Sequence, residues 1–160
     1  MTIETQVDRF DRSVKNFAGC IEALSETSFL AKLNGWSPRD IVAHLIGWNR
    51  YYVTGCDQIR QGELPFYYID PGEDFSKVNA GFVQQYASTS QKELLAELEA
   101  SWQALQQYLL ALAPEEWAAD YGVRYAGSPL SIEKSVEALR QDYVAHQQEI
   151  ESHVGGGLNS

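Results

Sequence analysis

Apolar residues recur along the N-terminal segment in alternating steps of four and three: Ile3, Val7, Phe10, Val14, Phe17, Ile21 and Leu24. This seam predicts a first helix over about Thr2 to Glu26, built to pack against other helices. Leu30 to Gly35 reads as a connection. The second helix is announced by a full start signal. Ser37 is an N-cap, Pro38 occupies the first helical position, and Asp40 completes a capping box with Asp in place of Glu or Gln. Its apolar stripe is Ile41, Leu45, Trp48, Tyr52, Cys56 and Ile59, and it runs to about Arg60, stopping near Gly62. Asp74 is a candidate cap for a third apolar segment, Phe75, Val78, Phe82 and Tyr86, interrupted at Ser88-Thr89-Ser90. Ser90 and Glu93 open the next, with Leu94, Leu98, Trp102, Leu105, Tyr108 and Leu112. These two pieces form either one kinked helix or two stacked ones. Pro114 to Trp117 reads as a single turn whose Trp plugs the end of a bundle. Ser131 caps the last helix, with the stripe Ile132, Val136, Leu139, Tyr143, His146 and Ile150, and Gly155-Gly156-Gly157 is its expected end.

No strand-like alternation of useful length is present. The pattern predicts an all-α four-helix bundle as one domain over 1–154, with a disordered tail at 155–160. Long connections follow helices two and three, and such connections permit topologies other than up-down-up-down. The first of them holds Pro65, Phe66, Tyr67, Tyr68 and Asp70-Pro71-Gly72. An aromatic loop of that length either lines a pocket mouth or packs down on the bundle.

Composition adds two expectations. With 12 basic and 22 acidic residues the net charge is −10. Nucleic acid and anionic membrane surfaces are therefore not expected as partners, because nothing offsets phosphate repulsion. The two cysteines, Cys20 and Cys56, form no CxxC pair, and no leader or transmembrane segment is recognisable. A cytoplasmic protein with reduced thiols is the expectation.

The chemistry lies in the histidines. His44 borders the apolar face of the second helix, and His146 sits on the seam of the last. Asp142 precedes His146 by four residues, so both side chains leave one face of that helix. Two imidazoles and a carboxylate on two facing helices match the way bundles build metal sites. Such donors suit zinc, nickel, iron or manganese. Three protein ligands leave a position for water, which a divalent metal activates as a nucleophile near neutral pH. The plainer alternatives are an Asp142–His146 ion pair at the bundle edge and a hydrogen bond from His44 to Asp40. Asp40 is also a candidate partner for the second ring nitrogen of His44, although its role in the helix cap is preferred. His153 lies seven residues past His146, about 10 Å along a helix, too far to share an ion with it. HExxH, a Gly-rich phosphate loop and GxSxG are all absent.

The chain resembles the DinB-like (DinB/YfiT) superfamily of metal-binding four-helix bundles, over nearly its whole length. The strongest match is W-S-P-R-D-I-V-A-H-L-I-G-W, Trp36 to Trp48, with the family's histidine at His44. The second is D-Y-V-A-H, Asp142 to His146, where the family carries a ligand pair at the same spacing. Many members have three histidines. Here the first of the C-terminal pair is Asp142, and the mycothiol-dependent isomerase branch also has a carboxylate there. Asn79, in K-V-N-A-G-F, matches a recurrent position of the third helix. The segment L-I-G-W is similar to the ClbS/DfsB group, some of whose members disarm reactive small molecules without needing a metal.

The resemblance implies an up-down-down-up bundle, often dimeric, with a divalent metal (zinc or nickel first, iron or manganese next) held by His44, Asp142 and His146. The corresponding expectation is a homodimeric metal-dependent hydrolase or low-molecular-weight-thiol transferase acting on a small molecule. Trp48, Tyr143, Phe66, Tyr67 and Tyr68 are the candidate pocket walls. The rival expectation is a ClbS/DfsB-like stress or self-protection protein that binds a small hydrophobic compound without metal.

Overall fold

The computed structural model describes residues 1–68 and 75–158, the side chains of 155–158 excepted. Four long helices form the bundle: α1 (Ile3–Glu22), α3 (Pro38–Arg60), α5 (Gln91–Leu110) and α7 (Ile132–Leu158). Three shorter helices decorate it: α2 (Glu26–Leu30), α4 (Ser76–Gln85) and α6 (Pro114–Trp117). The predicted seam of α1 is buried from Ile3 to Ile21. The capping box of α3 forms as read. Asp40 N–H donates to Ser37 Oγ at 3.2 Å and Ser37 N–H donates to Asp40 Oδ2 at 3.1 Å.

Residue pairings give the direction of each helix. Arg50 meets Glu97 and Tyr108 reaches Asp57, so α3 and α5 run parallel. Arg9 pairs with Glu137 and Arg140 reaches Ser13, so α1 and α7 are also parallel. Phe10 stacks on Trp102 while Gln91 donates to the Ile21 carbonyl, which sets α1 and α5 antiparallel. The topology is up-down-down-up, as expected. At its centre Tyr143 O–H donates to Asn49 Oδ1, Asn49 Nδ2–H to Ser101 Oγ, and Ser101 O–H to the Leu98 carbonyl, at 2.9, 3.0 and 3.0 Å. This buried chain joins α7, α3 and α5 and leaves none of its side-chain oxygens without a partner.

Some details differ from the sequence expectation, and others settle what it left open. α1 stops at Glu22, short of the expected Glu26, and Ser25 caps a separate, unanticipated helix α2, which buries Phe29. α4 and α5 are two helices, since α4 lies on α3 while α5 is a member of the bundle. The expected cap Asp74 lies outside the described residues, and α4 begins after Phe75, whose φ is 62°. A two-residue antiparallel ribbon, β1 (Arg124–Tyr125) and β2 (Ser128–Pro129), occupies the second long connection. Its turn residues Ala126 and Gly127 both have positive φ, the conformation that tight hairpins favour. Finally, α7 runs through the glycine run to Leu158 instead of ending there. Trp117 is buried, as the plug reading requires.

Glycine sets how close α4 comes. A Cβ at Gly47 would fall inside the ring of Phe82. Gly55 does the same for Tyr67, whose ring end lies over it. These two positions on one side of α3 let α4 and the aromatic loop settle directly on the helix backbone.

Candidate metal centre

His44 projects from the second turn of α3, where the cap and Pro38 have already fixed the helix. α7 brings Asp142 and His146 to face it. His44 Nε2 lies 2.8 Å from Asp142 Oδ2, and His146 Nε2 lies 3.3 Å from Asp142 Oδ1. The imidazole rings meet edge to face at 5.2 Å, and Trp36 covers both, with ring centroids 5.1 and 6.4 Å away. His44 is buried, His146 mostly so, and Asp142 keeps a side-chain exposure of 38%. That partial exposure leaves the carboxylate reachable from outside.

The second nitrogen of His44 meets Asn79 Oδ1 at 2.9 Å, and Trp48 Nε1–H donates to the same oxygen at 2.8 Å. An indole N–H can only donate, so it fixes the amide with its oxygen toward both rings. His44 Nδ1 must then carry a hydrogen, and Nε2 is the nitrogen turned to the Asp142 carboxylate. Asp40, the alternative partner for His44, is occupied by the helix cap and by Lys32 at 3.7 Å. Asn79 takes that place instead. Replacing it with leucine removes the acceptor that orients the ring. Asn79→Leu is expected to weaken zinc binding by about 10- to 100-fold with the helical circular dichroism unchanged, as for other partners that orient a ligand. Unaltered zinc affinity would show that the ring is held without it.

Burial pushes the Asp142 carboxyl up, but hydrogen bonds and charge from His146 and His44 overcome it, and its pKa falls far below the usual carboxylate range. Burial lowers the His146 imidazole. The hydrogen bond and charge of Asp142, helped by Glu149, outweigh that and raise it. His146 Nδ1 lies 3.5 Å from Glu149 Oε2, without hydrogen-bond geometry among the described residues.

One ligand atom from each of His44, Asp142 and His146 lies within 4.8 Å of the others. Adjacent tetrahedral donors about 2.1 Å from zinc stand about 3.4 Å apart, a spacing not far below the spread of this set. The residue types fit as well: two imidazoles and an ionised carboxylate. His153 stays apart, exposed on the last turns of α7 with its ring at the Glu149 carbonyl.

A cavity of about 400 Å³ opens beside these residues, lined by His44, Asn79 and Asp142 at one end. Trp48, Tyr67 and Tyr68, three of the candidate pocket residues, are among its walls. Two other candidates are not. Tyr143 is completely buried between Phe10 and Phe17 with its hydroxyl on Asn49, and Phe66 packs on Tyr51 away from the cavity. Tyr52 and Phe75 line it in their stead. Tyr52 follows Trp48 by one helical turn on the same stripe, a spacing that could have picked it out.

The family described as mycothiol maleylpyruvate isomerase N-terminal domain matches residues 10–151. The chain belongs to this family. Its membership in the DinB-like superfamily follows from the same match. No curated protein matches the sequence. Solved structures share the fold at low identity. DfsB, described as a sibling lethal factor precursor, superposes with a TM-score of 0.80 at 13% identity, over 98% of this chain and 97% of its own. The colibactin self-resistance protein ClbS, solved in complex with a dsDNA, gives 0.75 at 16%, over 94% of both chains. The mycothiol-dependent maleylpyruvate isomerase gives 0.74 at 14%; 94% of this chain aligns, but only 61% of the isomerase is covered. The ClbS complex corrects one expectation from charge. A protein of this fold is seen with duplex DNA, so a net charge of −10 does not exclude nucleic acid as a partner. Phosphate contacts are made by a local surface, which a whole-chain charge does not describe. Among the described residues no helix is long and apolar enough to cross a membrane.

Proposed function

We propose that this family member is a metal-dependent enzyme acting on a small molecule, a hydrolase or a transferase that uses a low-molecular-weight thiol. The observation that carries this reading is the convergence of His44, Asp142 and His146 beside a cavity that His44 and Asp142 line. His44 Nε2, a carboxylate oxygen of Asp142 and His146 Nε2 would hold a divalent cation, zinc or nickel foremost. The cation supplies Lewis acidity that lowers the pKa of a water or thiol reaching it. Asn79 and Trp48 hold a proton on His44 Nδ1, so Nε2, which contacts the Asp142 carboxylate in the metal-free protein, is the nitrogen a cation would take in place of that contact. The aromatic walls exclude water from the substrate's side of the site.

The pH dependence follows from the two shifts. The stability that His146 gains in the metal-free protein is fully present below the ordinary imidazole value of 6.5 and is lost as pH rises through its raised folded value. That of Asp142 is present above 3.8 and is lost as pH falls through its depressed value. The metal-free site is therefore best satisfied between about pH 4 and 6.5. A metal needs the neutral imidazole, so zinc uptake is expected to release a proton from His146 and to weaken as the solution is acidified. Calorimetry in buffers of different ionisation enthalpy checks this. Zinc binding that is absent, or indifferent to pH between 5 and 8, would contradict the proposal.

A second reading, a ClbS/DfsB-like protein that binds a small hydrophobic compound without metal, is favoured by the aromatic cavity. Under that reading His44→Ala leaves ligand binding intact.

A further inference from the structure

The walls of the cavity carry chemical information that the three candidate ligands do not. On the α3 side stand aromatic faces. Tyr52 and Tyr67 lie nearly parallel, 4° apart with centroids at 5.9 Å, and Trp48 meets both edge-on. On the α7 side the lining is short and aliphatic, with Ala138, Leu139 and Ala145. Such a pair of surfaces suits a flat ring, which gains from stacked and edge contacts with the aromatic wall.

The polar groups are equally specific. Tyr52 and Tyr67 are both more than nine-tenths buried, and their hydroxyls make no hydrogen bond among the described residues. Burial raises the pKa of both phenols, so they remain O–H donors at any physiological pH. Neither hydroxyl is a fully buried polar atom without a partner, so each keeps a solvent contact that a ligand oxygen would replace on binding. Among the described residues lining the cavity there is no lysine or arginine, and the carboxylate present is that of Asp142. An anionic ligand would find no cation among the described lining residues, since the His146 imidazole that pairs with Asp142 is not one of them, in surroundings that screen poorly.

We infer that the cavity takes a planar, uncharged aromatic molecule bearing a carbonyl or ether oxygen, and discriminates against carboxylates. This rests on the reading of the cavity as the substrate side of the site, but not on the metal being bound.

Coumarin and coumarin-3-carboxylate are a matched pair of probes: flat, similar in size, and different in charge at pH 7. Calorimetric titration of the full, metal-free chain keeps any carboxylate–cation bond out of the comparison. Coumarin is expected to bind at least 10-fold more tightly than its carboxylate. Tyr52→Phe, which removes one donor and keeps the ring, is expected to weaken coumarin several-fold. Gln141→Arg, an exposed change at the cavity rim, is expected to narrow the gap between the two probes. Equal or tighter binding of the carboxylate by the unaltered protein overturns the inference, and so does the failure of both probes to bind at millimolar concentration. Zinc uptake measured on the same preparation separates the two proposals. Coumarin binding without zinc uptake keeps this inference and removes the metal centre, and zinc uptake with a preference for the carboxylate does the reverse.

Discussion

Replacing His44 with alanine is expected to lower zinc affinity by more than the roughly 100-fold that loss of an orienting partner can cost. The site would be left with Asp142 and His146, two donors from a single helix. The fold should survive. Trp48 keeps its bond to Asn79, Asp142 keeps His146, and the buried Tyr143–Asn49–Ser101 chain is untouched. His153→Ala is the control, since that imidazole is turned to the Glu149 carbonyl and is expected to have no effect on zinc. Competition against a chromogenic chelator reads both variants. An unchanged affinity in His44→Ala, or an equal loss in His153→Ala, would place the zinc somewhere else.

The second large effect is one of packing. A methyl group at Gly47 has to displace the buried ring of Phe82 and with it α4, so Gly47→Ala is expected to cost about 1–3 kcal/mol or more by overpacking. Phe82→Ala alone is expected to cost about 3–5 kcal/mol. In the Phe82→Ala background the clash is gone, and alanine is a better helix former than glycine by up to about 1 kcal/mol. There Gly47→Ala is expected to be neutral or stabilising. A double-mutant cycle by denaturant unfolding measures this reversal of sign. Asn79 lies three residues before Phe82 on α4, so the single Gly47→Ala variant is also expected to bind zinc more weakly. Additive effects in the cycle would show that the contact does not set the position of α4.

These two cases mark what spacing alone reveals. α3 was legible to the residue because Ser37, Pro38 and Asp40 write its start and a long apolar stripe writes its face. α2 and the β1–β2 ribbon are too short for any period to show. His44, Asp142 and His146 could be paired on paper because each lies on an inward face and the last two are one turn apart. Asn79 could not be assigned from spacing. Its contact with His44 exists only because α4 settles on Gly47, which no local pattern encodes. Tyr143 shows the opposite error. It shares the inward stripe of α7 with His146, but one stripe spans both the packed centre and the cavity, and Phe10 and Phe17 claim this residue for the centre. Phe66 and Tyr67 are neighbours in one aromatic loop, and only the absence of a side chain at Gly55 decides that Tyr67 is the one that packs inward.

The most direct measurement is diffraction from crystals grown with zinc, recorded on both sides of the zinc absorption edge. The expected result is one strong anomalous peak between α3 and α7, about 2.0–2.2 Å from His44 Nε2, His146 Nε2 and an Asp142 oxygen. A zinc-soaked crystal with no peak there, or with His44 Nε2 still bonded to Asp142 and the ion on the surface, would contradict the assignment of this site as a metal centre.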